Sequence, residues 1–239
     1  MKVTVFKDER TLARTLAAQI AATLDSTPDL VLGLPTGRTP VRTYHELGTV
    51  HADFSRATTF NLDEFLGIGP DHPGSYRAFM EQHLFSRVNL RPERIHVLNG
   101  AAPDPEAECA HYERAIADAG GIGLQLLGIG TNGHIGFNEP ARELAARTHR
   151  VRLKESTRRS NAALFGGAVD QVPAEALSMG MATILHARRI VLLATGAGKA
   201  RCVERMIDGP VTPRLPGSFL QLHRCAEIWL DRAAAGRLG

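Results

Sequence analysis

The chain has 239 residues, enough for one α/β domain with a sizeable core, and its 44% hydrophobic and 22% charged residues are typical of a soluble globular protein. No apolar stretch is long enough to span a bilayer, and the N-terminus lacks the pattern of a secretory signal. The net charge of +3 is dispersed, which argues against nucleic-acid binding and is compatible with a small anionic substrate. Three cysteines lie far apart without metal or disulfide spacing, so we expect a reducing, cytoplasmic location.

The hydrophobic pattern predicts strands and helices in alternation. In chain order, strands are expected at residues 3–6, 30–34, 57–61, 95–98, 122–127, 190–194 and 226–230, the last as an edge strand. The helices are expected at residues 8–24, 41–50, 75–88, 102–119 and from the 195–199 loop to about 207. This alternation predicts an α/β sandwich with a mainly parallel sheet, formed by residues 1–239 as a single domain.

The segment from residue 141 to 172 has a looser pattern and is rich in arginine. One short helix is expected within it, at about residues 157–165. A polar segment beside a catalytic loop is typical of a lid, which we place at about residues 150–172. A solvated surface helix is the alternative interpretation.

The loop after the second strand, Pro35 to Pro40, has the features of a phosphate site. Thr39 is expected to cap a helix that has Pro40 at its first position. Free backbone N–H groups at a helix N-terminus favour phosphate, and Arg38 adds a guanidinium that grips an anion bidentately. A plain turn with a solvated arginine remains the alternative on this stretch alone.

The residues Thr195 to Lys199 resemble the end of a nucleotide-binding P-loop. The leading glycine is absent and Ala200 stands where Ser or Thr is required, so nucleotide binding is rejected. Lys199 remains a phosphate candidate because it is expected at a helix N-terminus.

The glycine-rich stretch from residue 128 to 140, GIGTNGHIGFNEP, follows a buried strand and contains Asn132, His134 and Glu139. An imidazole and a carboxylate in such a loop suit proton transfer near neutral pH. The string also fits a dinucleotide fingerprint, but no helix opens at once and Arg150 stands where the acid is required. An ordinary glycine turn with a structural histidine is the other alternative.

A second unusual stretch, FNLDEF at residues 60–65, also follows a strand and contains Asp63. Four singled-out stretches, residues 35–40, 61–65, 129–139 and 195–199, therefore come directly after strands. The carboxyl ends of parallel strands meet at one edge of a sheet, so we expect these stretches to converge there.

These motifs resemble the glucosamine-6-phosphate deaminase family, which is the glucosamine/galactosamine-6-phosphate isomerase family. The resemblance extends over almost the whole chain and rests on residues 32–40, 60–65, 72–76, 128–140 and 196–199. It implies a Rossmann-like three-layer fold and, usually, a homo-oligomer. It also implies conversion of glucosamine 6-phosphate and water into fructose 6-phosphate and ammonia, without a metal or another cofactor.

The same resemblance implies a role for each matched residue. Asp63 would be the base of an enolisation, and His134 would open the sugar ring with support from Asn132 and Glu139. The phosphate would be held by Thr36, Gly37, Arg38, Thr39 and Lys199. These residue types fit the chemistry, because ring opening needs a proton shuttle and enolisation needs a carboxylate held close to a C–H bond.

The chain departs from the family pattern at three positions. Some members carry Asp where this chain has Asn132, many carry a phosphate-binding Arg where it has Ala163, and most carry Gly or Ser where it has Arg38. We interpret Arg38 as the replacement for the missing guanidinium. A different amino-sugar phosphate, such as galactosamine 6-phosphate, is the alternative explanation.

Three other functions stay open from the sequence. A 6-phosphogluconolactonase-like hydrolase shares the loop histidine but typically has Arg where this chain has Phe65, and a different sequence after the histidine. A non-catalytic sugar-phosphate sensor needs the phosphate loop without the acid–base residues. An aldose–ketose isomerase that does not deaminate remains a further alternative.

Overall fold

A parallel sheet of seven strands forms the centre of the computed structural model, which describes residues 1–239. The order of its strands is β1-β10-β9-β6-β2-β3-β5, and every neighbouring pair is parallel. The strands are β1 Lys2–Phe6, β2 Val31–Leu34, β3 Thr58–Asn61, β4 Asp63–Phe65, β5 Ile95–His96, β6 Leu124–Gly128, β7 His149–Arg152, β8 Glu175–Ser178, β9 Arg189–Ala194 and β10 Ala226–Asp231.

Helices cover both faces of this sheet. They are α1 Glu9–Ser26, α2 Arg38–Leu47, α3 Tyr76–His83, α4 Pro105–Asp118, α5 Glu155–Asn161, α6 Met181–Leu185 and α7 Ala200–Asp208. A hydrophobic core lies on each face of the sheet, and side chains of successive strand residues point to opposite faces. Leu126 packs in the core with α1 and α2, whereas Leu127 packs in the core with α4 and α7. The three-layer α/β fold with a mainly parallel sheet is therefore confirmed.

A second, antiparallel sheet of three strands has the order β4-β8-β7. Its first strand follows β3 after the single residue Leu62, so the chain passes from one sheet directly into the other. The sequence did not predict β4, β7 or β8, because these strands are short and carry polar or charged residues, in the sequences DEF, HRVR and EALS. A core that includes Phe65, Phe137 and Phe165 supports this sheet.

Two detailed predictions were wrong. Residues 226–230 do not form an edge strand, since β10 lies between β1 and β9; the edges are β1 and β5. Thr39 is not the helix cap, because α2 begins at Arg38 and its cap is Gly37. The φ of Gly37 is +94°, a conformation that glycine adopts at little cost. None of the helices combines the length and the apolarity needed to cross a membrane.

Candidate active site

The four stretches singled out in the sequence follow four strands that are neighbours in the sheet. In spatial order the strands are β9, β6, β2 and β3, and they lead into the loops that hold Lys199, His134, Arg38 and Asp63. Because these strands are parallel, their carboxyl ends lie at one edge of the sheet. The expected convergence of the four loops is therefore present in the fold.

The Asp63 carboxyl lies against the glycine-rich loop. A Cβ atom built at Gly136 would be 3.4 Å from Asp63 Oδ2 and 3.0 Å from Ser178 Oγ, and the φ of Gly136 is +56°. Glycine suits this position because a side chain would strain the left-handed backbone and crowd Ser178 Oγ. Asp63 Oδ1 is buried and has no hydrogen-bond partner within the protein. This oxygen therefore has a hydrogen-bond capacity that the protein itself does not use.

Burial raises the pKa of Asp63 to about 8, and the negative charge of Glu64 adds to this effect. Glu64 itself is buried and accepts three backbone N–H bonds: from Phe65 and Tyr76 at Oε1, at 2.8 and 2.9 Å, and from Arg77 at Oε2, at 2.9 Å. Glu64 therefore ties β4, which begins with Asp63, to the first turn of α3.

Asn132 links His134 to Glu139. Its Oδ1 accepts the backbone N–H of His134 at 3.1 Å, and its Nδ2 donates to Glu139 Oε2 at 2.8 Å. An ionised aspartate has no donor for the second bond, so the amide at this position suits a carboxylate neighbour. His134 Nδ1 is buried without a hydrogen-bond partner and lies 3.7 Å from Glu139 Oε1.

The pKa of the His134 imidazole is lowered, chiefly by burial. The Glu139 carboxylate opposes this shift, whereas Lys199 and Lys154 reinforce it. The ring is therefore neutral at pH 7 and available to accept a proton. It packs onto the backbone of Gly130, where a Cβ atom would lie only 2.2 Å from His134 Cε1.

Two cationic side chains face the same region from neighbouring loops. Lys199 immediately precedes α7, and its pKa is lowered mainly by burial and further by the charge of Arg38. Arg38 begins α2 and is exposed. Thr36 is half-buried and faces the hydroxyl of Tyr76, which donates to Asn161 Oδ1 at 3.2 Å. Two helix N-termini and two cations suit an anionic group.

Not every predicted residue is tied to this arrangement. Thr39 is half-buried within the first turn of α2, and its predicted role as a helix cap does not apply. Ala163 is exposed in the short turn that follows α5. The structure contains no group of three or more His, Cys, Asp or Glu side chains arranged to hold a metal ion. A cavity of about 650 Å³ lies elsewhere, between α4 and β7.

Several residues that the sequence did not single out lie at the site. Ser178 Oγ accepts the backbone N–H of Phe137 at 3.1 Å and is paired through its strand with Asp63. Thr157 donates to Glu139, and Lys154 lies 4.0 Å from the same carboxylate. Because Glu64 follows Asp63 directly, the sequence could have predicted two acidic side chains that influence each other. No sequence pattern indicated that Thr157 or Ser178 would lie at the site.

The fold and the site define a Rossmann-like α/β protein that has a carboxylate and an imidazole at the same sheet edge as two cationic side chains. A family model described as glucosamine-6-phosphate isomerases/6-phosphogluconolactonase matches residues 7–229. Glucosamine-6-phosphate deaminase of Halothermothrix orenii is 45% identical over 242 residues, covering 100% of both chains. That of Rhodopirellula baltica is 52% identical over 215 residues, 88% of this chain and 85% of the relative. The chain belongs to this family.

Solved structures agree with the fold. One described as a monomeric glucosamine-6-phosphate deaminase has a TM-score of 0.95 at 42% identity, covering 99% of this chain and 100% of its own. The 6-phosphogluconolactonase of Thermotoga maritima has a TM-score of 0.75 at 18% identity, covering 96% of this chain and 98% of its own. At that identity the lactonase shares the fold alone.

Proposed function

We propose that the protein is a glucosamine-6-phosphate deaminase, which converts glucosamine 6-phosphate and water into fructose 6-phosphate and ammonia. The observation that carries this proposal is the contact between Asp63 and Gly136. It brings a buried carboxyl group with a free oxygen onto the loop that holds His134. A protein that only binds a sugar phosphate has no need of this acid–base combination.

Ring opening is the first step, because the closed pyranose has no carbonyl group. In the proposed mechanism neutral His134 removes the proton from the anomeric hydroxyl and returns it to the ring oxygen as the C1–O5 bond breaks. Glu139 stabilises the transient imidazolium through Oε1, which lies 3.7 Å from His134 Nδ1. Asn132 holds the other carboxylate oxygen of Glu139.

Enolisation follows on the open-chain aldehyde. The ionised carboxyl of Asp63 removes the proton from carbon 2 and delivers it to carbon 1, which converts the amino-aldehyde through an enolamine into a ketimine. Water then adds to this imine at carbon 2, and ammonia leaves to give the ketose. Without substrate, burial raises the pKa of Asp63. The ammonium group on carbon 2 of the bound substrate lowers this pKa again, because its positive charge favours the carboxylate form.

In this mechanism the phosphate group binds at the cationic end of the site, which is formed by Lys199 and Arg38. Lys199, Arg38 and the backbone N–H groups of the Thr36–Thr39 loop would hold it. Binding energy from this remote group orients carbons 1 and 2 between Asp63 and His134. Arg38 would supply the guanidinium that Ala163 cannot, with galactosamine 6-phosphate as the alternative substrate.

The decisive experiment measures ammonia released from glucosamine 6-phosphate by the purified protein, with fructose 6-phosphate as the second product. Galactosamine 6-phosphate and 6-phosphogluconolactone, assayed in parallel, separate the alternative activities. An Asp63→Asn variant is expected to lose turnover and to keep sugar-phosphate binding by calorimetry. Turnover of that variant at the wild-type rate would contradict the mechanism.

Three further expectations accompany this function. We propose that residues 150–172, which include α5 between β7 and β8, act as a lid over the site. We also propose a cytoplasmic location, on the grounds of the three unpaired cysteines. The family resemblance favours a homo-oligomer, whereas the solved deaminase with 42% identity is described as monomeric. Sedimentation of the purified chain distinguishes these two states.

A further inference from the structure

The first turn of α5 contacts the carboxylate at the end of the glycine-rich loop. Thr157 is 4% exposed, and its hydroxyl donates to Glu139 Oε1, which belongs to a residue that is 7% exposed. Lys154, just before α5, donates to the carbonyl of Pro140 at 2.8 Å. The glycine-rich loop is thus attached to α5 by a buried bond and an exposed one.

The two oxygens of Glu139 have different neighbours. Oε2 accepts from Asn132 Nδ2 and lies 4.0 Å from Lys154 Nζ. Oε1 accepts from Thr157 and is also the oxygen 3.7 Å from His134 Nδ1, which has no partner of its own. A carboxylate oxygen has two lone pairs, so Oε1 keeps one acceptor site for the imidazole while it accepts from Thr157.

We propose that Thr157 is a positioning residue for ring opening, which acts through Glu139 on His134. The inference rests on the proposed deaminase function. Without Thr157, the bond from Asn132 would be the only hydrogen bond to restrain the terminal torsion of the carboxylate, which is intrinsically soft and roughly two-fold. The Thr157 hydroxyl fixes that rotation and keeps Oε1 directed at the imidazole. Enolisation by Asp63 does not use this contact, so the two steps respond differently to its loss.

The test uses Thr157→Val, which keeps the shape of the side chain and removes the donor. Turnover is measured with glucosamine 6-phosphate and with the same substrate deuterated at carbon 2. We expect kcat/KM to fall by about tenfold or more. Ring closure is slowed together with ring opening, so the open-chain aldehyde proceeds to enolisation more often than it recloses. The deuterium isotope effect on kcat/KM should therefore fall towards one, or stay at one if it starts there.

Three variants serve as controls. Thr157→Ser keeps the hydroxyl and should restore most of the lost rate. Thr183→Val removes another threonine-to-carboxylate bond, Thr183 Oγ1 to Glu113 Oε1 at 2.6 Å, away from the site, and should leave rate and isotope effect unchanged. Asp63→Glu disturbs enolisation instead and should raise the isotope effect. Thermal unfolding establishes that each variant is folded.

The possible outcomes separate the inference from the function on which it rests. An unchanged rate in Thr157→Val overturns the inference, as does a lower rate with an isotope effect that rises, or that starts above one and does not fall. A folded Thr157→Ser variant that is as slow as Thr157→Val also overturns it. If the wild-type protein releases no ammonia from glucosamine 6-phosphate or galactosamine 6-phosphate, the proposed function fails and the inference fails with it.

Discussion

Asp63 and Ser178 face each other across the antiparallel pair β4–β8, and Ser178 Oγ accepts the backbone N–H of Phe137 at 3.1 Å. The small second sheet thus fixes the glycine-rich loop relative to the carboxyl group. At Gly136, whose φ is +56°, a Cβ atom would lie 3.4 Å from Asp63 Oδ2.

A Gly136→Ala substitution tests this approach. The methyl group would lie 3.0 Å from Ser178 Oγ and 3.4 Å from Asp63 Oδ2, and the positive φ adds strain for any residue with a Cβ atom. We expect kcat to fall by about tenfold or more while phosphate-ester binding is kept, since the cationic end is not altered. Gly69→Ala is the matched control because its Cβ atom meets nothing within 4 Å. Equal kcat in both variants would show that the contact has no bearing on catalysis.

The buried charge of Asp63 gives a stability prediction. Its folded-state pKa of about 8 lies above the usual value of about 3.9, so the stability it contributes is complete below that value and is lost as pH rises through 8. Asp63→Asn has no titrating group at this position. Its free energy of unfolding, measured by chemical unfolding at each pH, should therefore increase relative to that of the wild type from pH 5 to pH 8, at up to about 1.4 kcal/mol per pH unit. A difference independent of pH would contradict the raised pKa.

Buried apolar strands were predictable from the sequence even when short, and strands with polar or charged residues were not. The strands at β2, β6 and β9 were recognised because they are apolar on both faces, and their parallel arrangement followed from the helices between them. Loops after parallel strands necessarily meet at one edge, so the gathering of Asp63, His134 and Lys199 was also predictable.

The supporting contacts could not be predicted in the same way. Ser178 reaches Phe137 across 41 positions of sequence, and Thr157 reaches Glu139 across 18. No periodicity encodes such pairs, since Ser178 lies in a four-residue strand and Thr157 in a seven-residue helix, and each contacts a loop far away in sequence. The position of β10 inside the sheet was missed for a related reason, because strand order depends on β1 packing beside it.

Arg38 is predicted to bind the phosphate group. Burial is the main cause of the lowered pKa of Lys199, and the charge of Arg38 adds to it, so the two cations act on each other electrostatically. Arg38→Ala should raise KM by about tenfold, a loss of about 1.4 kcal/mol, with a smaller change in kcat. Arg10→Ala, another exposed arginine, is the control. An unchanged KM would leave Lys199 and the loop N–H groups as the whole of the phosphate site.

Lys154 is predicted to keep the pKa of His134 low. Burial is the main cause of that low pKa, Glu139 opposes it, and the charges of Lys199 and Lys154 add to it. Lys154→Met removes one of these cations, so the pKa of His134 should rise. This pKa is measured by NMR titration of the His134 ring protons, which are assigned by their absence in His134→Gln. Lys154→Arg keeps the charge and should leave the pKa close to the wild-type value, and Lys7→Met controls for the loss of a distant exposed lysine. If the pKa of His134 falls or stays constant in Lys154→Met, the charge of Lys154 does not act on the imidazole.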